Sequence, residues 1–245
     1  MMRQASRYKI AACILHYGDP GLTARLYRQL AGETDVYVLD NAAPEAFSNA
    51  WKRLPENLYW AGALGWALRE FAANNYTHLW FFNNDAYFLS NGPHIGITYA
   101  RLVRMEKTLG KIGIYAPAVS ANPYHPQMLQ NEQSQCRLVN ILDGIAPLIN
   151  LECALEIGGL DADDNPYGYG ADIWLSMRVH RAGWNLVVDN QVLLRHNYHA
   201  TARKVDGFMD KAAYFEQVYL QKRLGQNYKQ IIQEQQLQCR EISSL

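Results

Sequence analysis

YTHLWFFNNDAYF, residues 76–88, is the stretch from which the fold can be read. Leu79, Trp80, Phe81 and Phe82 form an apolar, aromatic run with the length and residue types of a buried strand. Asn83, Asn84 and Asp85 follow at once, and all three favour turns. In an open α/β sheet, the loop at a strand's carboxyl end is where ligands collect. One carboxylate beside two carboxamides can hold a hard divalent cation through oxygen while leaving other coordination positions to a phosphate. The alternative is an Asn-rich turn that merely closes a core strand.

Towards the amino terminus, residues 8–15 (YKIAACIL) read as the first buried strand, followed by a turn over 16–21 and a helix over about 22–31. Residues 36–39 (VYVL) make a second strand ending in Asp40 and Asn41. Strands separated by about ten helical residues predict right-handed crossovers and a mainly parallel sheet, which puts Asp40 and Asp85 on one rim. There Asp40 can accept from a nucleobase N–H or a ribose hydroxyl, or it can cap the turn that follows. Further on, NLYWAGALGWAL (57–68) opens a helix predicted to run to Ala73. Gly62 and Gly65 near its start allow close approach of a ligand or of the neighbouring strand. No G-K-[ST] follows, so this is not a P-loop, and the absence of G-x-G-x-x-G argues against a nicotinamide cofactor.

The composition is that of an ordinary globular chain. It has 245 residues, 49% hydrophobic and 19% charged, enough to bury a large core as one domain or as one domain with an appendage. Lys plus Arg and Asp plus Glu both number 23, so neither nucleic-acid binding nor an acidic solvating tail is expected. The longest early apolar run, residues 10–15, is too short for a membrane span or a signal-peptide core, and a cytosolic protein is expected. Cys13, Cys136, Cys153 and Cys239 lack C-x-x-C spacing and read as buried free thiols rather than zinc ligands or disulfides.

In the second half, residues 112–119 read as a strand, 120–135 as a polar, Pro-containing loop, and APLINLECALEIGG (146–159) as a strand and a short helix. Asp172 opens a helix predicted over 173–182, after Tyr167, Gly168, Tyr169 and Gly170. Such a place suits a carboxylate that must face a cleft and take the proton from an attacking hydroxyl. An Asp just before a helix is also a common N-cap, and the two uses are compatible. Tyr167, Tyr169, Trp174 and Trp184 can stack on a sugar ring or sit in the core. Asp161, Asp163 and Asp164 lack the ligand spacing of an EF-hand and read as a solvated loop. A strand over 185–194 precedes His196 and His199, either of which can be structural or exposed. From about 206 to 238, Phe208, Ala212, Phe215, Tyr219, Tyr228, Ile231 and Ile232 recur at mostly helical spacing, with a break near Gly225. These helices should pack on the parent domain, on a second copy or on a membrane surface, and the Gln-rich QIIQEQQLQ (230–238) favours protein contact.

Taken in order, these segments resemble a family 2 glycosyltransferase of the GT-A fold, in the bacterial branch that includes rhamnosyltransferase-like enzymes. The matching pieces are CILHYGDP (13–20), VYVLDNAAPE (36–45), NLYWAGAL (57–64), FFNNDAYF (81–88) and GGLDADDNPYGYGADIWLSMRVHRAGW (158–184), with LLRHNYHAT (193–201) after the next strand. The resemblance implies a Rossmann-like, mixed but mostly parallel sheet flanked by helices over residues 1–205, with 206–245 as a C-terminal helical appendage. It implies that Asp40 contacts the nucleotide base or ribose, with Asn83, Asn84 and the Gly62 segment also on the donor side. Asp85 would hold the divalent cation, Mn2+ or Mg2+, that bridges the donor diphosphate, and His196 would complete the metal site. Asp172 would be the catalytic base, with Asp143, Tyr169 and Trp174 on the acceptor side. Arg203 and Lys204 are expected near the diphosphate from their charge. Two positions depart from the family pattern. Asn83 replaces the first acid of D-x-D, which lowers the local negative charge, and Ala171 replaces the glutamate before Asp172.

The implied function is an inverting, metal-assisted glycosyltransferase moving a hexosyl or deoxyhexosyl group from a UDP- or dTDP-sugar to a hydroxyl of a glycan or lipid-linked acceptor. Its setting would be bacterial surface polysaccharide or lipopolysaccharide assembly, in the cytoplasm at the inner face of the membrane. The C-terminal helices would offer a homodimer or peripheral membrane contact. Two alternatives stand beside it. Asn83 and Ala171 suggest a non-catalytic sugar-nucleotide or glycan-binding relative. A nucleotidyltransferase should carry a Gly-rich, Lys/Arg-containing signature after the first strand, which HYGDPGLTAR (16–25) fits poorly.

Overall fold

In the computed structural model, which describes residues 8–33, 35–198 and 207–245, the chain begins with β1 (Ile10–His16), α1 (Pro20–Leu30), β2 (Val36–Asp40), β3 (Lys52–Arg53) and α2 (Tyr59–Ala73). Next come β4 (His78–Asn83), β5 (Ala86–Phe88), α3 (His94–Leu109), β6 (Ile112–Val119), β7 (Cys136–Val139) and β8 (Leu148–Asn150). The chain ends with α4 (Leu151–Glu156), α5 (Ala171–Arg181), β9 (Asn185–His196), α6 (Phe208–Leu224), α7 (Tyr228–Leu237) and β10 (Arg240–Ile242).

The apolar run of β4 is the centre of the core. Leu79, Trp80, Phe81 and Phe82 are fully buried, each worth about 1.5–3 kcal/mol in apolar burial. Alternation sends Trp80 and Phe82 to one face and Phe81 to the other. On the first face Trp80 meets Phe82 with ring centroids 4.7 Å apart, and also Phe88 of β5, which stacks on His94 of α3. On the second face Phe81 meets Trp60 of α2. The Trp80 indole N–H donates to Ala146 O, so its burial leaves no donor unpaired. Continuous burial of four consecutive side chains requires layers on both sides, and that is the architecture: α1 and α3 over one face, α2, α4 and α5 over the other.

One sheet holds all ten strands of the described residues in the order β10, β7, β9, β6, β8, β4, β1, β2, β3, with β5 paired to β9. β1 pairs in parallel with both β2 and β4, and β2 with β3. β8 lies antiparallel between β4 and β6, and β6 pairs in parallel with β9. Strands β3, β2, β1, β4, β6 and β9 therefore all point the same way, making a mixed, mostly parallel α/β sheet. Local chemistry sets the first helix. The Asp19 side chain accepts from Gly21 N at 2.7 Å, Pro20 occupies the first turn, and Leu26 and Leu30 place one buried stripe on the sheet. At Gly113 of β6 an added Cβ would lie 2.6 Å from Val179 of α5 and 2.9 Å from Cys153 of α4, so the bare backbone is what lets both helices sit close.

Helices α6 and α7 lie against the rest of the described chain. Leu220 packs over Gly170, Tyr219 donates its hydroxyl to Asp161 O at 2.9 Å, and Gln236 Nε2 donates to Tyr124 O at 3.2 Å. Arg223 bonds both Asp161 and Asp164, and Lys222 bonds Asp164. Those hydrogen bonds hold the Asp164 carboxyl down to about 2. The loop expected to be merely solvated is thus clamped by α6. Cys13, Cys136 and Cys153 are buried free thiols as expected, whereas Cys239 is exposed, because it follows α7 at the surface. None of the described helices is long and apolar enough to cross a membrane.

Candidate active site

From β1 the chain turns to β2 on one side and later returns to β4 on the other, so the carboxyl ends of β1 and β4 form a topological switch point. A cleft of about 530 Å³ opens there, within the range of small-molecule sites. Tyr17, Asn41, Asn83, Asp85 and His196 come from the strand ends, and Asp143, Tyr169, Asp172 and Glu216 from the opposite wall.

The turn between β4 and β5 fixes the first pair. β5 runs antiparallel to β9 with Ala86 opposite His196, so Asp85 reaches the ring. His196 Nε2 lies 2.8 Å from Asp85 Oδ1, with the two side chains only 9% and 13% exposed. The other ring nitrogen, Nδ1, is buried without a hydrogen-bond partner among the described residues. Asn84 anchors this turn, its Nδ2 donating to Tyr17 O and Thr23 Oγ1, while Asn83 lines the cleft beside Asp85. The Asp85 carboxylate, the His196 Nε2 beside it and the Asn83 carboxamide form a set of oxygen and nitrogen donors that a divalent cation can take.

The second group surrounds Asp172. Gly170, at φ 77°, is the residue that caps α5, so Asp172 stands inside the first turn rather than at the N-cap. Its Oδ2 accepts from Gly144 N at 2.9 Å and its Oδ1 from Ile173 N at 2.9 Å. Burial first, and then the neighbouring Asp143, raise the Asp172 carboxyl above the usual carboxylate range, against the opposing pull of His125 and the two backbone N–H groups. Asp143 is itself held by Asn122 Nδ2 at 2.8 Å. Across the cleft, burial and then Asp172 push Glu216 of α6 up to about 7, with Lys229 opposing. Burial and then Glu216 push the Tyr169 hydroxyl up to about 12.

Sequence reasoning missed His125 and Glu216. One ring nitrogen of His125 and one carboxylate oxygen each from Asp143 and Asp172 lie within 4.8 Å of one another. Three such donors are enough to hold a divalent cation. For Glu216 the signal was present: Ala212, Glu216 and Leu220 lie four residues apart on one helix face, and the outer two are buried. A glutamate on the buried stripe of a helix marks a polar site.

Several expected site residues are elsewhere. Asp40 is fully buried, with Oδ1 accepting from Ala43 N and Oδ2 from Phe47 N and from Arg53 at 2.7 Å. Its acceptors serve the turn after β2, and the neighbouring Asn41 faces the cleft instead. Gly62 is exposed and outside the cleft, where an added Cβ would meet Leu58 Cβ at 2.9 Å in its own helix start. Trp174 turns away from the cleft and donates its indole N–H to Asp161 Oδ2. Tyr167 and Tyr169 do line the cleft, and Tyr167 joins Tyr59 and Phe208 in an aromatic cluster with centroids 5.2–5.8 Å apart. Arg203 and Lys204 lie outside the described residues. Among the described lining residues there are four carboxyl groups, Asp85, Asp143, Asp172 and Glu216, and no Lys or Arg.

No family model matches the chain. Over 191 residues it is 25% identical to the uncharacterized protein Mb1552 of Mycobacterium bovis, covering 76% of this chain and 73% of that one. The uncharacterized protein Rv1525 of Mycobacterium tuberculosis matches with the same figures. Among solved structures the chain is similar to GalNAc-T7 with UDP, GalNAc and Mn2+, at TM-score 0.62 and 11% identity over 95% of this chain and 55% of that one. It is also similar to the mannosyltransferase PcManGT of Pyrobaculum calidifontis in complex with GDP-Man and Mn2+, at TM-score 0.59 and 14% identity over 82% and 60%. S. aureus TarS matches at TM-score 0.56 and 10% identity over 90% and 71%. The chain thus spans little more than half the length of the first two solved relatives. These likenesses establish the fold, which is that of the GT-A glycosyltransferases.

Proposed function

We propose that the protein is an inverting, divalent-metal-assisted glycosyltransferase of the family 2, rhamnosyltransferase-like kind. It would move a hexosyl or deoxyhexosyl group from a UDP- or dTDP-sugar to a hydroxyl of a glycan or lipid-linked acceptor, in bacterial surface polysaccharide assembly. The observation that carries this reading is the convergence of Asp85, His196 and Asp172 on one cleft at the switch point of a GT-A sheet.

The cleft's charge supports the metal. Four carboxyl groups with no Lys or Arg among the described lining residues would repel a diphosphate. Asp85 and His196, with Asn83 beside them, would hold a divalent cation that offsets the charge of the donor's diphosphate. Asp172 takes the proton from the acceptor hydroxyl as its oxygen bonds to the anomeric carbon and the bond to the diphosphate breaks. Its raised carboxyl makes it a stronger base than an exposed aspartate. The backbone N–H groups of Gly144 and Ile173 hold it in one orientation. Tyr167 and Tyr169 offer ring faces to a sugar.

A thermal-shift panel of UDP, dTDP, GDP and CMP, each with and without Mn2+ or Mg2+, tests the reading. A nucleotide at about a hundredfold above its dissociation constant adds roughly 2.7 kcal/mol, a shift of several degrees. The expected result is a shift for one nucleoside diphosphate that needs the metal and disappears in Asp85→Ala. No shift with any nucleotide under any condition would refute it.

A further inference from the structure

His16 ends β1 at the carboxyl rim of the sheet and is fully buried. A buried imidazole needs partners for both ring nitrogens. Nε2 lies 2.8 Å from Glu45 O, in the loop after β2. A carbonyl only accepts, so Nε2 carries the hydrogen and the neutral ring has a bare Nδ1. That nitrogen is 2.7 Å from Oγ1 of Thr23, which donates its hydroxyl hydrogen to it. Thr23 stands on the stripe of α1 that otherwise buries Leu26 and Leu30, where a hydroxyl is costly unless bonded. Its Oγ1 also accepts from Asn84 Nδ2 at 3.0 Å. The Asn84 amide cannot be turned round, because the same Nδ2 donates to Tyr17 O at 3.2 Å, and that carbonyl too only accepts.

The donations therefore run in one direction, from Asn84 through Thr23 and His16 to Glu45, and they join separate segments of the rim. Two of the residues that line the cleft hang on the same chain. Tyr17 is held through its carbonyl, and Asn41 N donates to His16 O at 3.0 Å. Asn84 and Asp85 are the two turn residues between β4 and β5. They share one short stretch of backbone whose ends are fixed in those strands, and Asn197 N closes it by donating to Asp85 O at 3.1 Å. With the Asn84 side chain drawn inward to Thr23, Asp85 is left turned to the cleft, its Oδ1 2.8 Å from His196 Nε2.

We propose that His16 and Thr23 are positioning residues for Asp85: their hydrogen-bond chain holds the Asn84–Asp85 turn so that the Asp85 carboxylate and His196 face each other in the cleft. This deepens the reading of Asp85 and His196 as the metal pair and rests on it for its catalytic meaning. The hydrogen-bond chain itself is tested without metal or nucleotide, so its failure and the failure of that reading are distinguishable.

The experiment is NMR of the 15N-labelled full chain without metal, beside a Mn2+ titration in which electron paramagnetic resonance counts the free ion. Above neutral pH the His16 ring is expected to show a protonated Nε2 and a bare Nδ1, and the Asn84 side-chain amide to exchange slowly with solvent. The His196 ring proton that faces Asp85 is identified by its loss in Asp85→Ala. Thr23→Val keeps the shape and removes the hydroxyl. It should shift or broaden that His196 proton and weaken Mn2+ binding by about 10–100-fold, the usual effect of losing a group that supports a ligand. Thr23→Ser restores the hydroxyl and should return both signals, and Asn84→Ala, which breaks the chain at its other end, should repeat the Thr23→Val result. A merely structural Thr23 would lower Tm in Thr23→Val and leave the His196 proton and the Mn2+ affinity where they were. That result would overturn the proposal, and so would a wild-type His16 with its proton on Nδ1. A wild-type chain that takes up no Mn2+ would refute the metal reading, and the His196 proton then decides the positioning by itself.

Discussion

Replacing Glu216 with glutamine should stabilise the protein at alkaline pH and leave it nearly unchanged in acid. Glu216 is partly buried on α6 and faces Asp172, and its carboxyl is pushed from an ordinary 4.5 up to about 7, by burial first and by Asp172 second. An acid with a raised folded-state value binds its proton more tightly folded than unfolded. Its contribution to stability is therefore fully present below pH 4.5 and is lost as the pH rises through about 7. At about 1.4 kcal/mol per tenfold change in proton affinity, the loss is on the order of 3 kcal/mol. Glutamine keeps the shape and cannot ionise, so the loss disappears. For a chain of this size roughly 3 kcal/mol corresponds to about 6–12 °C in Tm. Thermal unfolding of wild type and Glu216→Gln, followed by circular dichroism from pH 5 to pH 8.5, should give curves that nearly coincide at pH 5 and separate by several degrees at pH 8. Because Asp172 faces the same group, the gain should shrink in an Asp172→Asn background, as coupled sites do. A Tm difference that is absent at pH 8, or that is the same at every pH, would refute the placement of Glu216 beside Asp172 in the cleft.

Asp172→Asn should lower sugar transfer by about 10²–10⁴-fold while leaving the metal-dependent nucleotide shift intact, and unchanged turnover would remove the base assignment. Gly113→Ala should cost about 1–3 kcal/mol, the usual penalty of overpacking, because the new Cβ lies 2.6 Å from Val179 Cγ1 and 2.9 Å from both Cys153 Sγ and Trp184 Cβ. Urea unfolding reads that change as a lower midpoint, and an unchanged midpoint would contradict the close seating of α4 and α5 on β6.

Much of the fold was legible because its deciding signals are local. Four consecutive apolar residues at 79–82 state that β4 is covered on both faces, and three polar residues immediately after them state where the covering stops. Strand–helix–strand alternation in the first third sets parallel order by handedness alone. Asp85 and Asp172 were legible as polar side chains where a buried strand ends and where a helix begins. Strands β3, β5, β7 and β10 were not legible, since two to four residues are too few to display a period of two.

What the sequence determined by itself is therefore the sheet, its carboxyl rim and the carboxylates stationed there. Tertiary structure alone decided which of two adjacent residues faces the cleft. Asp40 is withdrawn because Arg53 of β3 bonds it at 2.7 Å, leaving Asn41 to the cleft, and Trp174 is withdrawn because Asp161 takes its indole N–H. It also decided the additions: Glu216 reaches the cleft because Leu220 seats α6 over Gly170, and His125 is met there by Gln236, 111 residues away. Periodicity and turn chemistry are written between near neighbours along the chain. The direction of a side chain is set by whichever distant groups the packing brings within a hydrogen bond.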